Sequence, residues 1–329
     1  MKHLIFVGAC YMDTILRDQV LIYSFSVPFF PPEDSKLRAT ALNIRRGGNC
    51  PNSIQVLEQL LAESDAVQPY LVSCLPNISS AASRRIIASF GPSSKLDFRH
   101  CIYNEACTEA ASSYVIRSLE TGSRTLVNYN DLPEMTTEQF ESIARSFSLN
   151  QETWWHFEGR IPDTTLKCIR LLRSVLPKAQ ISVEIEKPGR EGLPELAAEA
   201  DVVFYSRSWA EGRGHESPES CLRAEVHDKT SLALCTWGAD GAAGLSRVAR
   251  EYVRCPAKCE AEGGISVVDA VGAGDTFVAG MLYGLVCHTD EWSVGQKLSF
   301  AVRLATLKVQ REGFAGLGAD MLGCVPGSS

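Results

Sequence analysis

Short apolar runs of strand length alternate along this chain with stretches of helical periodicity, and few folds accommodate that rhythm. Residues 3–9 (HLIFVGA) form a continuous apolar run closed by Gly8, the pattern of a strand buried on both faces. Ile54, Leu57, Leu60 and Leu61 then recur at helical spacing behind Asn49 and Pro51, two helix-start residues. Strand-like runs follow at 69–74, 153–157, 181–186, 202–206 and 232–237. Helical patterns lie near 80–90, through Leu166, Ile169, Leu172 and Val175, and at 275–287 and 293–310. Strands alternating with helices predict an α/β fold with a mostly parallel sheet covered on both faces.

Two stretches break the alternation. Residues 111–117 and 124–130 are β-prone and flank Leu119-Glu120-Thr121-Gly122-Ser123, which predicts a hairpin. Residues 10–45 contain no helical pattern and carry Pro28, Pro31 and Pro32. Together they predict a small β subdomain beside the main sheet, drawn from about 10–45 and 100–130. The 329 residues alone leave one large domain or two smaller ones open. The order of the elements favours one body over 1–320, with 321–329 a frayed tail.

Charge and cysteine usage narrow the partners. Thirty-two basic against 39 acidic residues give a net charge of −7, which argues against a broad nucleic-acid-binding face but not against a local anion pocket. Residues 4–12 are interrupted by Gly8 and fall far short of the ~20 apolar residues of a membrane span. With no basic segment and cleavage site around them, the expectation is a cytoplasmic protein without a membrane segment. The 12 cysteines lack metal-ligand spacing and read as small buried hydrophobes.

Chemistry concentrates in two loops. Residues 267–277 (VVDAVGAGDTF) read as a strand end, a turn of small residues and a helix starting at about Gly274 or Asp275. Small residues let backbone N–H groups approach an anion, and the helix N-terminus adds its positive dipole end. Asp275 in that first turn is either a helix cap or a general base beside an anion hole. Residues 45–52 (RRGGNCPN) place two glycines at a loop-to-helix junction. Asn49 and Asn52 lie three apart on one helix face, either as incidental polar residues or as a polyhydroxy-ligand site. His156, in the run TWWHF, reads as core packing and sheet-end hydrogen bonding.

These blocks, in this order, resemble the ribokinase-like (phosphofructokinase-B) carbohydrate kinase family. The blocks are GACYMDTI (8–15), PPEDSKLRA (31–39), RRGGNCPNS (45–53), TGSRTLVNY (121–129), WHFEGR (155–160), SVEIEKP (182–188), CTWGADGA (235–242) and VDAVGAGDTF (268–277). EDSKLR, GSRT, HFEGR and VEIEKP point to its ketohexokinase branch. The resemblance runs from about Leu4 to Leu317. It implies a three-layer α/β/α sandwich with a β lid, and ATP-dependent phosphorylation of a ketose, D-fructose to D-fructose 1-phosphate, in the presence of Mg²⁺.

Carried over position by position, the resemblance makes Asp275 the base and Gly272, Ala273 and Gly274 the anion hole, with these glycine-loop residues also meeting ATP. Asp13, Gly48, Asn49 and Asn52 would hold the sugar, joined by Asp34 from a partner's lid, so a homodimer is implied. Arg124 and the loop Gly238, Ala239, Asp240 and Gly241 would contact ATP. Glu184 and Glu186 are candidates for hydrated Mg²⁺, and Asp269 matches a neighbourhood that binds K⁺ in several relatives. The family's Asn-x-x-Glu is absent, and residues 18–26 look like an insertion or a gene-model artefact. Competing readings are a kinase of this fold for another sugar or a nucleoside, and a non-catalytic sugar-binding regulator.

Overall fold

The computed structural model describes residues 1–17, 33–34, 41–117, 124–258 and 264–323. The stretch 18–26, the hairpin turn at 119–123 and residues 324–329 lie outside the described residues.

An eight-stranded sheet runs edge to edge through Glu251–Cys255, Ala242–Ser246, Leu232–Thr236, Val202–Tyr205, Gln180–Ile185, Glu152–Glu158, Lys2–Val7 and Val67–Val72. The last six strands are mutually parallel, and the first two add antiparallel at one edge. Successive side chains of a strand point to opposite faces, so a strand buried on both sides feeds two cores. Leu4, Phe6, Phe204, Leu232 and Leu234 enter one core, with helices Asn49–Leu60, Ala273–Val286 and Val294–Val309. Ile5, Val7, Val203, Tyr205, Ala233 and Cys235 enter the other, with helices Thr137–Ala144, Pro162–Val175 and Pro218–Glu225. The result is the three-layer α/β/α sandwich. Each fully buried Leu, Ile or Phe contributes roughly 1.5–3 kcal/mol, so the two apolar layers hold the sheet in place.

A separate four-stranded sheet has the order Ala41–Gly47, Tyr11–Arg17, Ser112–Arg117, Arg124–Tyr129. Its strands come from the two stretches that interrupt the alternation, and Ser112–Arg117 pairs antiparallel with Arg124–Tyr129. The ten described cysteines are free, and Cys10, Cys50, Cys101, Cys168, Cys221 and Cys235 are buried. No helix among the described residues is long and apolar enough to cross a membrane.

Three boundaries differ from the sequence reading. Val267 and Val268 are not the end of a sheet strand: both are exposed, and the N–H groups of Val268 and Asp269 donate to one carbonyl, Val309 O, at 2.7 and 3.1 Å. The segment is an extended loop tied to a helix end. The following helix begins at Ala273, with Gly272 as its N-cap, slightly before the expected start. A helix at Leu317–Gly323 also continues past residue 320, because Met321 is drawn into the core.

Candidate active site

Two helices of the same layer start at the carboxyl edge of the parallel strands, Asn49–Leu60 and Ala273–Val286, and pack against each other. That edge is where open α/β sheets place their ligands. A cavity of about 750 Å³ opens there, lined by both helix starts, by Glu184 and Glu186 at the sheet, and by Asp13 of the small sheet.

The first helix depends on Gly48. Its φ of 107° is unfavourable for any L side chain, and a Cβ there would lie 2.2 Å from the Ala9 carbonyl oxygen. The turn delivers Asn49 and Asn52 to different carboxylates. Asn49 Nδ2 donates to Glu184 Oε2 at 2.8 Å and Glu186 Oε2 at 3.0 Å, while Asn52 Nδ2 donates to Asp275 Oδ2 at 2.8 Å. Arg46, almost fully buried, donates to Asn52 Oδ1 at 3.3 Å, Gln55 Oε1 at 2.5 Å and Ser89 Oγ at 3.1 Å. Its guanidinium lies 4.3 Å from the Phe90 ring centroid. Ser53 Oγ donates to the Asp275 carbonyl at 3.0 Å.

Gly272 is required on two counts. Its φ is 80°, and a Cβ would fall 2.3 Å from Phe314 Cζ. Gly274 faces open space instead, with nothing within 4 Å of a Cβ position. The first turn of a helix leaves N–H groups without intrahelical acceptors. Here the Ala273 N–H turns back to the Ala270 carbonyl at 3.3 Å, and Ala273 is not among the cavity-lining residues, unlike Gly272 and Gly274.

Carboxylates gather here: Glu184 is buried, Asp13, Glu158, Glu186 and Asp275 are half-buried, and all but Glu158 line the cavity. Burial pushes Glu184 up to about 8, against the Asn49 hydrogen bond and helped by Glu186. Burial also lifts Glu158 to about 7, against the bond its Oε2 accepts from Ala9 N–H at 2.8 Å. Asp275 is raised well above the usual carboxylate range, by burial first and then by the charge of Glu184, with the Asn52 bond opposing both. Burial likewise raises Asp13, against Arg45 and a hydrogen bond to Ser113. His156 is fully buried and held neutral, its pKa lowered to about 3 by burial. Trp154 Nε1–H donates to Ser182 Oγ at 2.8 Å, so the Ser182 hydroxyl donates to His156 Nδ1 at 2.9 Å. The His156 Nε2–H then donates to Glu184 Oε1 at 2.8 Å. Ligand atoms of Cys50, His156 and Glu184 lie within 4.8 Å of one another, but burial keeps that thiol protonated, far above its usual range. The hydrogen bonds here run from Ser182 through His156 to Glu184, which they hold in place.

A half-buried aspartate at a helix start, an amide donor beside it and a polar cavity in front suit removal of a proton from a hydroxyl next to an anion. The sequence model of the pfkB family carbohydrate kinase matches residues 1–317. The chain belongs to that family. Mouse ketohexokinase is 28% identical over 300 residues, covering 88% of this chain and 92% of that protein. A solved structure of Arabidopsis thaliana ribokinase complexed with ribose and ATP superposes with a TM-score of 0.73 at 18% identity, over 99% of both chains. Ribokinase from Giardia lamblia gives 0.73 at 13% identity, over 97% of this chain and 98% of that one. The fold is therefore ribokinase-like, and the chain is an ATP-dependent carbohydrate kinase by family.

In this kinase the cavity brings together Asp13, Gly48, Asn49, Asn52, Glu184, Glu186, Gly272, Gly274 and Asp275. Asp269 lines it too, whereas the loop 238–241 does not. Gly238, Ala239 and Asp240 form a short 3₁₀ turn followed by Gly241, outside the cavity lining although Thr236 belongs to it. Asp34 is exposed, with a φ of 59°. Arg124 begins its strand, and its side chain is outside the description. Residue-by-residue reading missed Glu158, Arg46 and Phe314 as contributors. Glu158 closes the strand Glu152–Glu158, and its place at a parallel strand's carboxyl end was the available signal. Phe314 had none, since it lies 42 positions after Gly272, across helix and loop.

Proposed function

We propose that this kinase transfers the γ-phosphoryl group of ATP to the 1-hydroxyl of D-fructose, giving D-fructose 1-phosphate and ADP. The observation that carries the reading is the half-buried Asp275 carboxylate, bonded to Asn52 at 2.8 Å in a polar cavity at a helix start. The similarity to mouse ketohexokinase, over most of both chains, favours a ketose over other acceptors.

In this reading Asp13, Asn49 and Asn52 hold the uncharged sugar by directional hydrogen bonds. Asp275 takes the proton of the 1-hydroxyl, the freed oxygen attacks the γ-phosphorus in line, and ADP leaves. Backbone N–H groups of the 272–275 turn and the helix dipole stabilise the charge on the transferred group. ATP arrives with a divalent metal. The all-oxygen donor set of Glu184 and Glu186 fits a hard cation such as Mg²⁺, whose chemistry is to neutralise phosphate charge. Arg124 and residues 238–241 are assigned to ATP, and closure of the small sheet would exclude water from the transfer.

We also propose a homodimer through the small sheet, with Asp34 reaching the partner's sugar, in a cytoplasmic protein. Register aligns Ile44, Thr14, Tyr114 and Val127 in one row across the four strands. Ile44, Tyr114 and Val127 are 38%, 50% and 59% exposed, an apolar row suited to burial against a second copy.

Purified protein assayed for ATP consumption with fructose, ribose, tagatose, adenosine and fructose 6-phosphate tests the substrate. Preference for fructose with phosphate on O1 is the expected result. Preference for another acceptor, or sugar binding without turnover, would overturn it.

A further inference from the structure

The resemblance at Asp269 leaves two roles open, a potassium site or a cap of the turn, and the oxygens that would hold an ion are already engaged. Lys308 is completely buried, and its Nζ donates to Asp269 O at 2.9 Å, Asp269 Oδ2 at 3.0 Å and Arg311 O at 3.4 Å. An ammonium has three N–H donors, and three oxygens meet them. The Phe314 ring centroid lies 5.4 Å from the same nitrogen. The donor set therefore fits the lysine and not an added monovalent cation.

What the ammonium grips leads directly to the candidate base. Asp269 Oδ1 accepts from Val271 N–H at 3.0 Å, and Gly272 N-caps the helix whose third residue is Asp275. Phe314 closes on Gly272 from the same segment that carries Lys308. Besides the Asp269 N–H bond to Val309 O, the loop 269–272 is thus held by one buried cation and one ring, with no ladder to the main sheet among the described residues.

We propose that the Lys308 ammonium is a tethered replacement for a monovalent cation, a positioning residue that fixes the 269–272 loop and makes this kinase independent of potassium. Its activity arm rests on the kinase reading above; its stability arm does not. The side chain is attached, so its charge is supplied at every salt concentration, and removing it leaves a carboxylate and two carbonyls facing one another.

The test compares the wild type, Lys308→Met and Lys308→Ala in potassium, sodium and tetramethylammonium chloride at equal ionic strength, reading the melting temperature and the ATP-dependent rate. The wild type is expected to melt at one temperature in all three salts, with rates equal within about twofold. Lys308→Met, similar in length but uncharged, should melt lower and lose about tenfold or more in kcat with a smaller change in sugar KM. Lys308→Ala should regain melting temperature and rate in potassium but not in tetramethylammonium. A wild type that potassium selectively stabilises or activates overturns the proposal, as does Lys308→Met behaving like the wild type. If neither variant folds, the wild-type salt series decides alone. Absence of turnover on every sugar, with the melting pattern intact, sinks the kinase reading and leaves the tethered cation standing.

Discussion

Asn52 stands between a buried cation and a half-buried carboxylate: its Oδ1 accepts from Arg46 at 3.3 Å and its Nδ2 donates to Asp275 Oδ2 at 2.8 Å. The amide orientation follows, because only the carbonyl oxygen can face the guanidinium. A donor on Asp275 favours its ionised form and so opposes the burial that raises it.

Asn52→Leu removes that donor, so the Asp275 pKa rises further. A base must be ionised to work, and the acidic limb of kcat/KM should move to higher pH by about one unit, equivalent to ~1.4 kcal/mol. The check is a pH–rate profile of both proteins. A limb that stays in place while the rate falls uniformly would mean that Asn52 holds substrate only and does not tune the base.

Asp275→Asn keeps the shape and removes the basicity. If Asp275 is the base, kcat should drop by roughly 10²–10⁴-fold. Sugar affinity measured by titration calorimetry should change far less, since Asp13 and Asn49 remain. Near-normal turnover in this variant would refute the base assignment.

Much of this arrangement was legible in the sequence because its signals are local. The Gly272-Ala273-Gly274-Asp275 and Gly47-Gly48-Asn49 turns announce themselves through small residues before a helix, and strands such as LIFV and LALC announce a sheet covered on both sides. The assembled site was not legible in the same way. Glu158 and Glu184 are register partners on adjacent parallel strands, Asp275 opens a helix, and only the folded chain brings Glu184 and Asp275 to one cavity. His156 was expected as a core residue and is one, yet its second nitrogen holds Glu184, a pairing set by adjacent strands. The 267–269 segment has strand composition but no neighbouring strand to pair with, so composition misled there.

The carboxylate cluster should make stability fall as pH rises. Folded Glu158 at about 7 and Glu184 at about 8 both stand above the ordinary value of 4.5. Between those values the folded chain keeps protons that the unfolded chain has released, so the contribution is intact below 4.5 and lost as pH climbs through 7 and 8. Glu184→Gln cannot ionise. Its loss of stability between about pH 5 and pH 9 should be smaller than the wild type's by ~1–3 kcal/mol, read from urea midpoints. The comparison is between slopes, because a glutamine also disturbs the His156 and Asn49 bonds at every pH. Parallel slopes would show that Glu184 is ionised in the folded chain.

Gly272 carries two separable demands, a φ of 80° and the absence of a Cβ 2.3 Å from Phe314 Cζ. Gly272→Ala meets neither, and a left-handed alanine alone costs roughly 1–2 kcal/mol. The clash adds to this, so the variant should lose ~2–4 kcal/mol of stability, with kcat falling more than sugar KM rises because the turn before Asp275 is displaced. Phe314→Ala opens the space without changing the backbone. In the double variant the steric share should vanish while the conformational share remains, giving a favourable coupling of ~1 kcal/mol or more in a double-mutant cycle. Strict additivity would show that the ring does not press on this turn, and that backbone conformation alone demands the glycine.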